Sequence, residues 1–341
     1  MKAFKYIKTS LKNVDIPLFI ITVLLIVFGL VMVFSSSSVT SVLSYKKTPY
    51  YFFEKQLITV IVAFIVSLVV INFPTKNYSV ISKLGIVLIV ITLISLKTYG
   101  TVTNNARSWF KVLGFSVQPS EFAKTFIILY LACRYSTIKK FKNISDVFLP
   151  MIPCIIVFFL VALEPDLGTA SLIAIICMFI FFALPLSKDK NMRILRIATV
   201  IAAIGGILFL NFNSDILTST QKYLYLPAAH TDFIFAIIVE ELGLIGGGCV
   251  LIAYIFLLFR ILVIARNATN LRNSIIAFGA FAYILSHIVI NLGGLLAIIP
   301  LTGVPLPFLS YGGSFMINLM ILVSLTQRVA IETKRKKQME Y

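Results

Sequence analysis

Leu226-Pro227-Ala228-Ala229-His230-Thr231-Asp232-Phe233 is a short polar stop between two long apolar runs, near 194–211 and 233–259. Wound as helices, runs of this length cross a hydrocarbon core of about 30 Å. The stop therefore reads as a turn at a membrane surface, and Asp232 as a carboxylate at a helix mouth. Acidic residues are scarce here, 13 against 30 basic ones. Ionisable groups in or at the rim of a membrane are functional candidates by default.

The same pattern recurs along the whole chain. Ten apolar spans are legible, near 16–36, 57–73, 80–97, 119–134, 148–163, 167–185, 194–211, 233–259, 274–296 and 305–327. The 341 residues are 59% hydrophobic and 13% charged, with a mean hydropathy of +1.00. A soluble domain carries about 25% charged residues. The expectation is one integral membrane domain over 1–341, all-α and polytopic, with ten transmembrane helices.

The net charge of +17 raises nucleic acid as a partner, and its distribution argues against one. With the N-terminus placed inside, 22 Lys and Arg fall on the inner side and 7 on the outer, with Lys124 inside a span. That asymmetry follows the positive-inside rule and places both termini in the cytoplasm. The remaining basic character suits anionic membrane lipids, and no stacking-rich basic patch is present. Cys133, Cys154, Cys177 and Cys249 all lie in apolar spans at spacings that match no metal motif, and read as small hydrophobes. The first span is expected to be a retained anchor, not a cleaved leader. No internal repeat of the transporter kind is visible.

The inner loops are short and basic, whereas the outer stretches 98–118, 164–166, 212–232 and 297–312 hold the unusual chemistry. In the first, Arg107, Trp109 and Lys111 read either as an interfacial anchor or as contacts to lipid phosphate and sugar. Gln118-Pro119-Ser120-Glu121-Phe122-Ala123-Lys124 opens the fourth span. Glu121 and Lys124 sit three apart on one helix face, as a structural pair, a substrate site or both. In Glu164-Pro165-Asp166, Asp166 reads best as a helix cap and Glu164 as a group lining a cavity. Thr231 and Asp232 also suit capping, but a cap explains neither His230 nor the deeper pair Glu240 and Glu241, which must be paired, protonated or beside a polar cavity. The span near 305–327 is broken by Pro305, Pro307, Gly312 and Gly313, and irregular backbone at that depth must be buried or line a cavity. Its amides and Ser310 are then candidates to face an anion or a sugar.

Ala106-Arg107-Ser108-Trp109, Gln118 to Lys124, Glu164 to Thr169, His230-Thr231-Asp232-Phe233-Ile234-Phe235, Glu240-Glu241-Leu242-Gly243 and Pro305 to Gly313 stand together in one order. In this the chain resembles the SEDS proteins (FtsW, RodA, SpoVE) from its first span to its tenth. The resemblance implies a ten-helix peptidoglycan glycosyltransferase of the bacterial cytoplasmic membrane that polymerises lipid II into glycan strands on the outer face, in division, elongation or sporulation. It implies a class B penicillin-binding protein as partner and points to a divalent cation, magnesium or manganese. It makes Asp232 the catalytic carboxylate, and puts Trp109, Glu121 and Lys124 in the outer cavity. Arg107, Lys111, Glu164, His230 and Ser310 complete the candidate substrate-binding set, with Lys124 as the favoured partner of pyrophosphate charge.

Three features depart from the family pattern. Ala228 stands where the family usually has Glu, and His287 where it usually has Gln. The stretch before Asp232 is tens of residues shorter than usual, with Thr220-Gln221-Lys222 as a remnant. Two other readings therefore stay open: a lipid II flippase using the same cavity without a general base, and an inactive scaffold for the penicillin-binding protein.

Overall fold

The computed structural model describes residues 13–43, 45–103, 106–112, 115–164, 166–186, 231–299 and 302–340. Nine of the ten expected spans are helices among these residues. They are α1 (Ile16–Leu43), α2 (Tyr51–Asn72), α3 (Tyr78–Tyr99), α4 (Pro119–Tyr135), the pair α5 (Ile144–Phe148) and α6 (Ile152–Ala162), α7 (Leu167–Ala183), α8 (Ile234–Arg266), α9 (Leu271–Leu295) and α10 (Gly313–Glu340). The expected span at 194–211 lies outside the described residues, as do His230, Ala228 and the remnant Thr220 to Lys222.

Helix starts follow local chemistry. Asn270 accepts the Asn273 amide at 2.9 Å to begin α9, and Asn143 and Asp146 form a capping box on α5. Asp166 accepts the Thr169 amide at 3.0 Å, so it is the cap the sequence suggests.

Burial sorts the helices. In their most apolar stretches, 72% of α9 and 83% of α10 is buried, against 22% of α2 and 33% of α8. α9 and α10 are thus central, and α4 joins them: Ala123, Ile127, Ile128, Leu131 and Ala132 have no exposed surface. The outer helices turn Leu24, Ile61, Val69, Leu84 and Ile91 outward, as lipid-facing surfaces must. Towards the C-terminal end of α8, Arg260 forks onto Asp15 at 2.8 and 2.6 Å, and Gln327 of α10 exchanges two bonds with the Asp15 backbone. Burial alone raises the Asp15 carboxyl, but Arg260 outweighs it and holds the group below its ordinary value.

Two features differ from the expectation. Part of the loop 98–118 forms a small antiparallel sheet in the order β1 (Thr101–Thr103), β2 (Ala106–Val112), β3 (Phe115–Val117). The last span begins at Gly313, not near 305. Pro305 and Pro307 lack the N–H a helix needs, and Phe308 takes a left-handed φ of 64°, so 302–312 runs as irregular backbone into the protein. Val304, Leu306, Phe308, Leu309 and Ser310 are nonetheless buried, which is the condition for irregular chain at membrane depth.

Candidate active site

The segment 302–312 is the frame on which the site is built. Ser310 Oγ accepts the Leu306 amide at 2.8 Å and donates to the Thr231 carbonyl. Gln56 of α2 donates to the Ser310 carbonyl at 3.4 Å and accepts the Gly312 amide at 3.2 Å. Tyr254 of α8 donates its hydroxyl to the Pro307 carbonyl at 2.5 Å. Gly29 of α1 lies so close that a Cβ there would run into the Phe308 carbonyl oxygen and come within 2.9 Å of Leu309 Cα.

Asp232 is attached to this frame by its backbone. Asn291 of α9 donates to the Asp232 carbonyl at 3.0 Å and to the Val304 carbonyl at 2.9 Å. The carboxylate looks toward Gly303, where a Cβ would sit 3.8 Å from Oδ2. The cap position of α8 is Phe233, with no side-chain capping bond. Burial pushes its proton affinity above the ordinary aspartate value, and the Thr231 hydroxyl offsets part of that. Of the two opposing effects open to a rim carboxylate, desolvation prevails.

Beneath the frame lies a buried charge cluster. Lys124 Nζ sits 2.7 Å from Glu121 Oε1, with side-chain exposures of 0% and 5%. Tyr283 donates to Glu121 Oε2 at 2.9 Å, and its ring lies 5.0 Å from the ammonium. Lys124 Nζ also lies 3.3 Å from His287 Nε2, and His287 Nδ1 lies 3.2 Å from the Pro305 carbonyl. Both readings of the Glu121 and Lys124 spacing thus begin from a formed pair, as hydrogen bonding requires of charges at this depth.

A second group lies beside the start of α4. In β2, residues two apart share a face, so Trp109 and Lys111 point one way and the buried Ser108 the other. Trp109 is half-buried and Lys111 exposed, and Arg107 belongs to the same strand. Glu164 is 5% exposed and Ser108 1%. Neither Glu164 oxygen nor the Ser108 hydroxyl is in hydrogen-bond geometry with a partner. Burial first, then the Asp166 charge, push the Glu164 carboxyl up to about 8, against smaller pulls from nearby Ser108 and Lys97. Asp166 Oδ2 accepts the Gln118 side chain at 2.8 Å, which ties this group to the start of α4.

The structure therefore joins Asp232, Ser310, Lys124 and Glu121 through the 302–312 segment, and gathers Glu164 with the β2 face beside α4. It surrounds Ser310 and Lys124 with protein partners. The single Ser310 proton already serves Thr231, and the Lys124 ammonium is enclosed by Glu121, His287 and Tyr283. Tyr283 and Asn291 were not singled out from the sequence. Their signal was present: Tyr283, His287 and Asn291 recur every four residues in an otherwise apolar span, a polar stripe down one face of α9. Glu241, deeper in α8, accepts the Ser35 hydroxyl at 2.6 Å, just before a break in the helix at Gly243 (φ 66°).

Residues 16–215 and 211–335 match the FtsW/RodA/SpoVE family, described as cell cycle protein. The chain is 33% identical over 384 aligned positions to the probable peptidoglycan glycosyltransferase FtsW of Bacillus subtilis, covering 97% of this chain and 95% of the relative. It is 34% identical to stage V sporulation protein E of the same organism, covering 94% and 98%. Both alignments are longer than the 341 residues of this chain, so the relatives carry residues that it lacks. Among solved structures, it superposes on the rod shape determining protein RodA of Thermus thermophilus with a TM-score of 0.74 at 23% identity, covering 93% and 96%. A chain from the study "Structural coordination of polymerization and crosslinking by a peptidoglycan synthase complex" gives a TM-score of 0.78 at 21% identity, covering 93% and 97%. The polar frame around Asp232 thus sits in a fold shared with those structures, and the chain belongs to the FtsW/RodA/SpoVE family.

Proposed function

We propose that this chain is a peptidoglycan glycosyltransferase that polymerises lipid II on the outer face of the cytoplasmic membrane, with both termini in the cytoplasm. The observation that carries the reading is Asp232: a carboxylate at a helix mouth, held by its backbone and made more basic by burial. The relatives named FtsW support the reaction class, and the 22-to-7 split of basic residues supports the orientation.

In this reading the acceptor's GlcNAc 4-hydroxyl oxygen forms a bond to the donor's MurNAc C1. The bond from C1 to the lipid pyrophosphate breaks, and the pyrophosphate leaves with the electron pair. Asp232 takes the hydroxyl proton. A general base works best when its proton affinity lies near the operating pH, and desolvation moves Asp232 in that direction. Trp109 offers a face for a sugar, and Arg107 and Lys111 offer donors to phosphate. Glu121, Lys124 and Ser310 act on the frame that aims Asp232.

Among the described residues no three His, Cys, Asp or Glu side chains gather as a metal cage, and both Asp166 oxygens are engaged. The described donors thus supply no cage of their own, and a divalent cation, magnesium or manganese, would be held largely by the substrate phosphates. There it would neutralise charge on the leaving pyrophosphate, with Asp232 left free to take the proton. A class B penicillin-binding protein is the proposed partner, consistent with the peptidoglycan synthase complex that shares the fold.

One observation favours a second reading, a scaffold for that partner: the relatives carry residues this chain lacks. Labelled lipid II with purified protein and partner separates the two. Glycan strands made by the wild type and abolished by Asp232→Asn support the transferase. Equal product from both removes Asp232 as base. Rescue of a depleted strain by Asp232→Ala supports the scaffold.

A further inference from the structure

We infer that His287 is a positioning residue, joining the buried Lys124–Glu121 pair to the 302–312 segment that frames Asp232. The inference deepens the proposed function and rests on it for its kinetic consequence.

The proton positions follow from the partners. A carbonyl oxygen only accepts, so the contact of His287 Nδ1 with the Pro305 carbonyl at 3.2 Å places the ring hydrogen on Nδ1. Nε2 then presents a lone pair, and the Lys124 ammonium donates to it at 3.3 Å. One neutral tautomer satisfies both neighbours at once. Aromatic packing holds the ring in place: Tyr283 lies 4.5 Å away on the same helix and Phe315 of α10 lies 4.7 Å away, centroid to centroid. His287 itself has no exposed surface.

One turn further along α9, Asn291 bonds the neighbouring carbonyls of Val304 and Asp232. His287 and Asn291, at i and i+4 on one face, therefore grip consecutive carbonyls, Pro305 and Val304. Asn291 passes that grip to Asp232, and His287 passes it to Lys124. A helix stripe thus converts the position of a buried ammonium into the position of the base. Misplacing a reacting group by about 1 Å costs on the order of a hundredfold in rate, so a coupling of this kind acts on turnover more than on substrate binding.

Two variants separate coupling from packing. His287→Phe keeps a ring between Tyr283 and Phe315 but removes both polar atoms. His287→Gln keeps a donor for Pro305 and an acceptor for Lys124. For lipid II polymerisation, His287→Phe is expected to lower kcat by about ten- to a hundredfold with KM nearly unchanged, and His287→Gln to restore most of it. In hydrogen exchange, the Leu306 and Ser310 amides are expected to exchange about tenfold faster in His287→Phe and near the wild-type rate in His287→Gln. Wild-type kcat in His287→Phe, or a His287→Gln variant as slow as His287→Phe, overturns the inference. If the wild type polymerises nothing, the proposed function falls, and exchange still decides the coupling. Faster exchange in Phe that Gln reverses supports it, and exchange unchanged in Phe overturns it.

Discussion

Asn291 holds Asp232 by its main-chain carbonyl, at 3.0 Å, and leaves the carboxylate out of the bond. The aim of the group and its chemistry are thereby assigned to different atoms. The backbone fixes where Asp232 sits, and burial sets how readily it takes a proton.

Asp232→Asn should therefore fold like the wild type and fail in turnover. The expected loss in kcat for glycan polymerisation is about a hundredfold to ten-thousandfold, the range for removing a general base, with a thermal midpoint close to wild type. In the wild type, the acid limb of kcat against pH should lie above the ordinary aspartate value of 3.8, because burial raises this carboxyl. A limb at or below that value would show that the rim is not desolvated during turnover.

Glu164 should make the protein less stable as pH rises. Its folded-state proton affinity is raised from 4.5 to about 8, so the folded chain keeps a proton that the unfolded chain releases. The stabilising contribution is complete below about 4.5 and is lost as pH climbs through about 8. Glu164→Gln keeps the shape without the charge. Its thermal midpoint should match wild type near the acid end of that window and exceed it at the alkaline end.

Lys124→Met should destabilise strongly, because it strands the Glu121 carboxylate in the core. Breaking one side of a buried pair costs about 3–5 kcal/mol. Adding Glu121→Leu removes the stranded charge, so the double variant should be more stable than Lys124→Met alone. Thermal unfolding in detergent distinguishes these outcomes. A single variant as stable as wild type would mean that the pair reaches water.

Gly29→Ala should disturb the site from a distance in sequence. The added methyl meets the Phe308 carbonyl in the irregular segment, and overpacking of this sort costs about 1–3 kcal/mol. Because that segment also frames Asp232, lipid II turnover should fall along with the thermal midpoint. Full turnover with a lowered midpoint would show that α1 supports the fold alone.

Much of the architecture was legible in the chain. The apolar runs located nine helices because a bilayer demands long stretches without charge, and that demand is local. Asp166 read correctly as a cap because a cap involves only residues a few positions apart. Glu121 and Lys124 read correctly as neighbours because three residues on a helix fix their proximity. The sheet around Trp109 was missed: its strands are short and lie in a loop too polar to show periodicity. The start of the last helix was missed by several residues, because apolar content ran ahead of the point where Pro305, Pro307 and Phe308 allow a helix to begin.

The sequence by itself determined the run of apolar membrane-length helices, the gathering of the unusual residues in a few loops between them and the singular position of Asp232. Each of these depends on composition, charge and spacing along one chain. The tertiary structure alone decided which polar side chains meet. Ser310 and Lys124, legible as substrate contacts, turn out to be enclosed by Thr231, Leu306, Glu121 and His287. Asn291 and His287, separated from Asp232 by more than fifty residues, set its position. Hydrogen bonds form between groups that meet in space, and the packing of α4, α9 and the 302–312 segment brings these groups together.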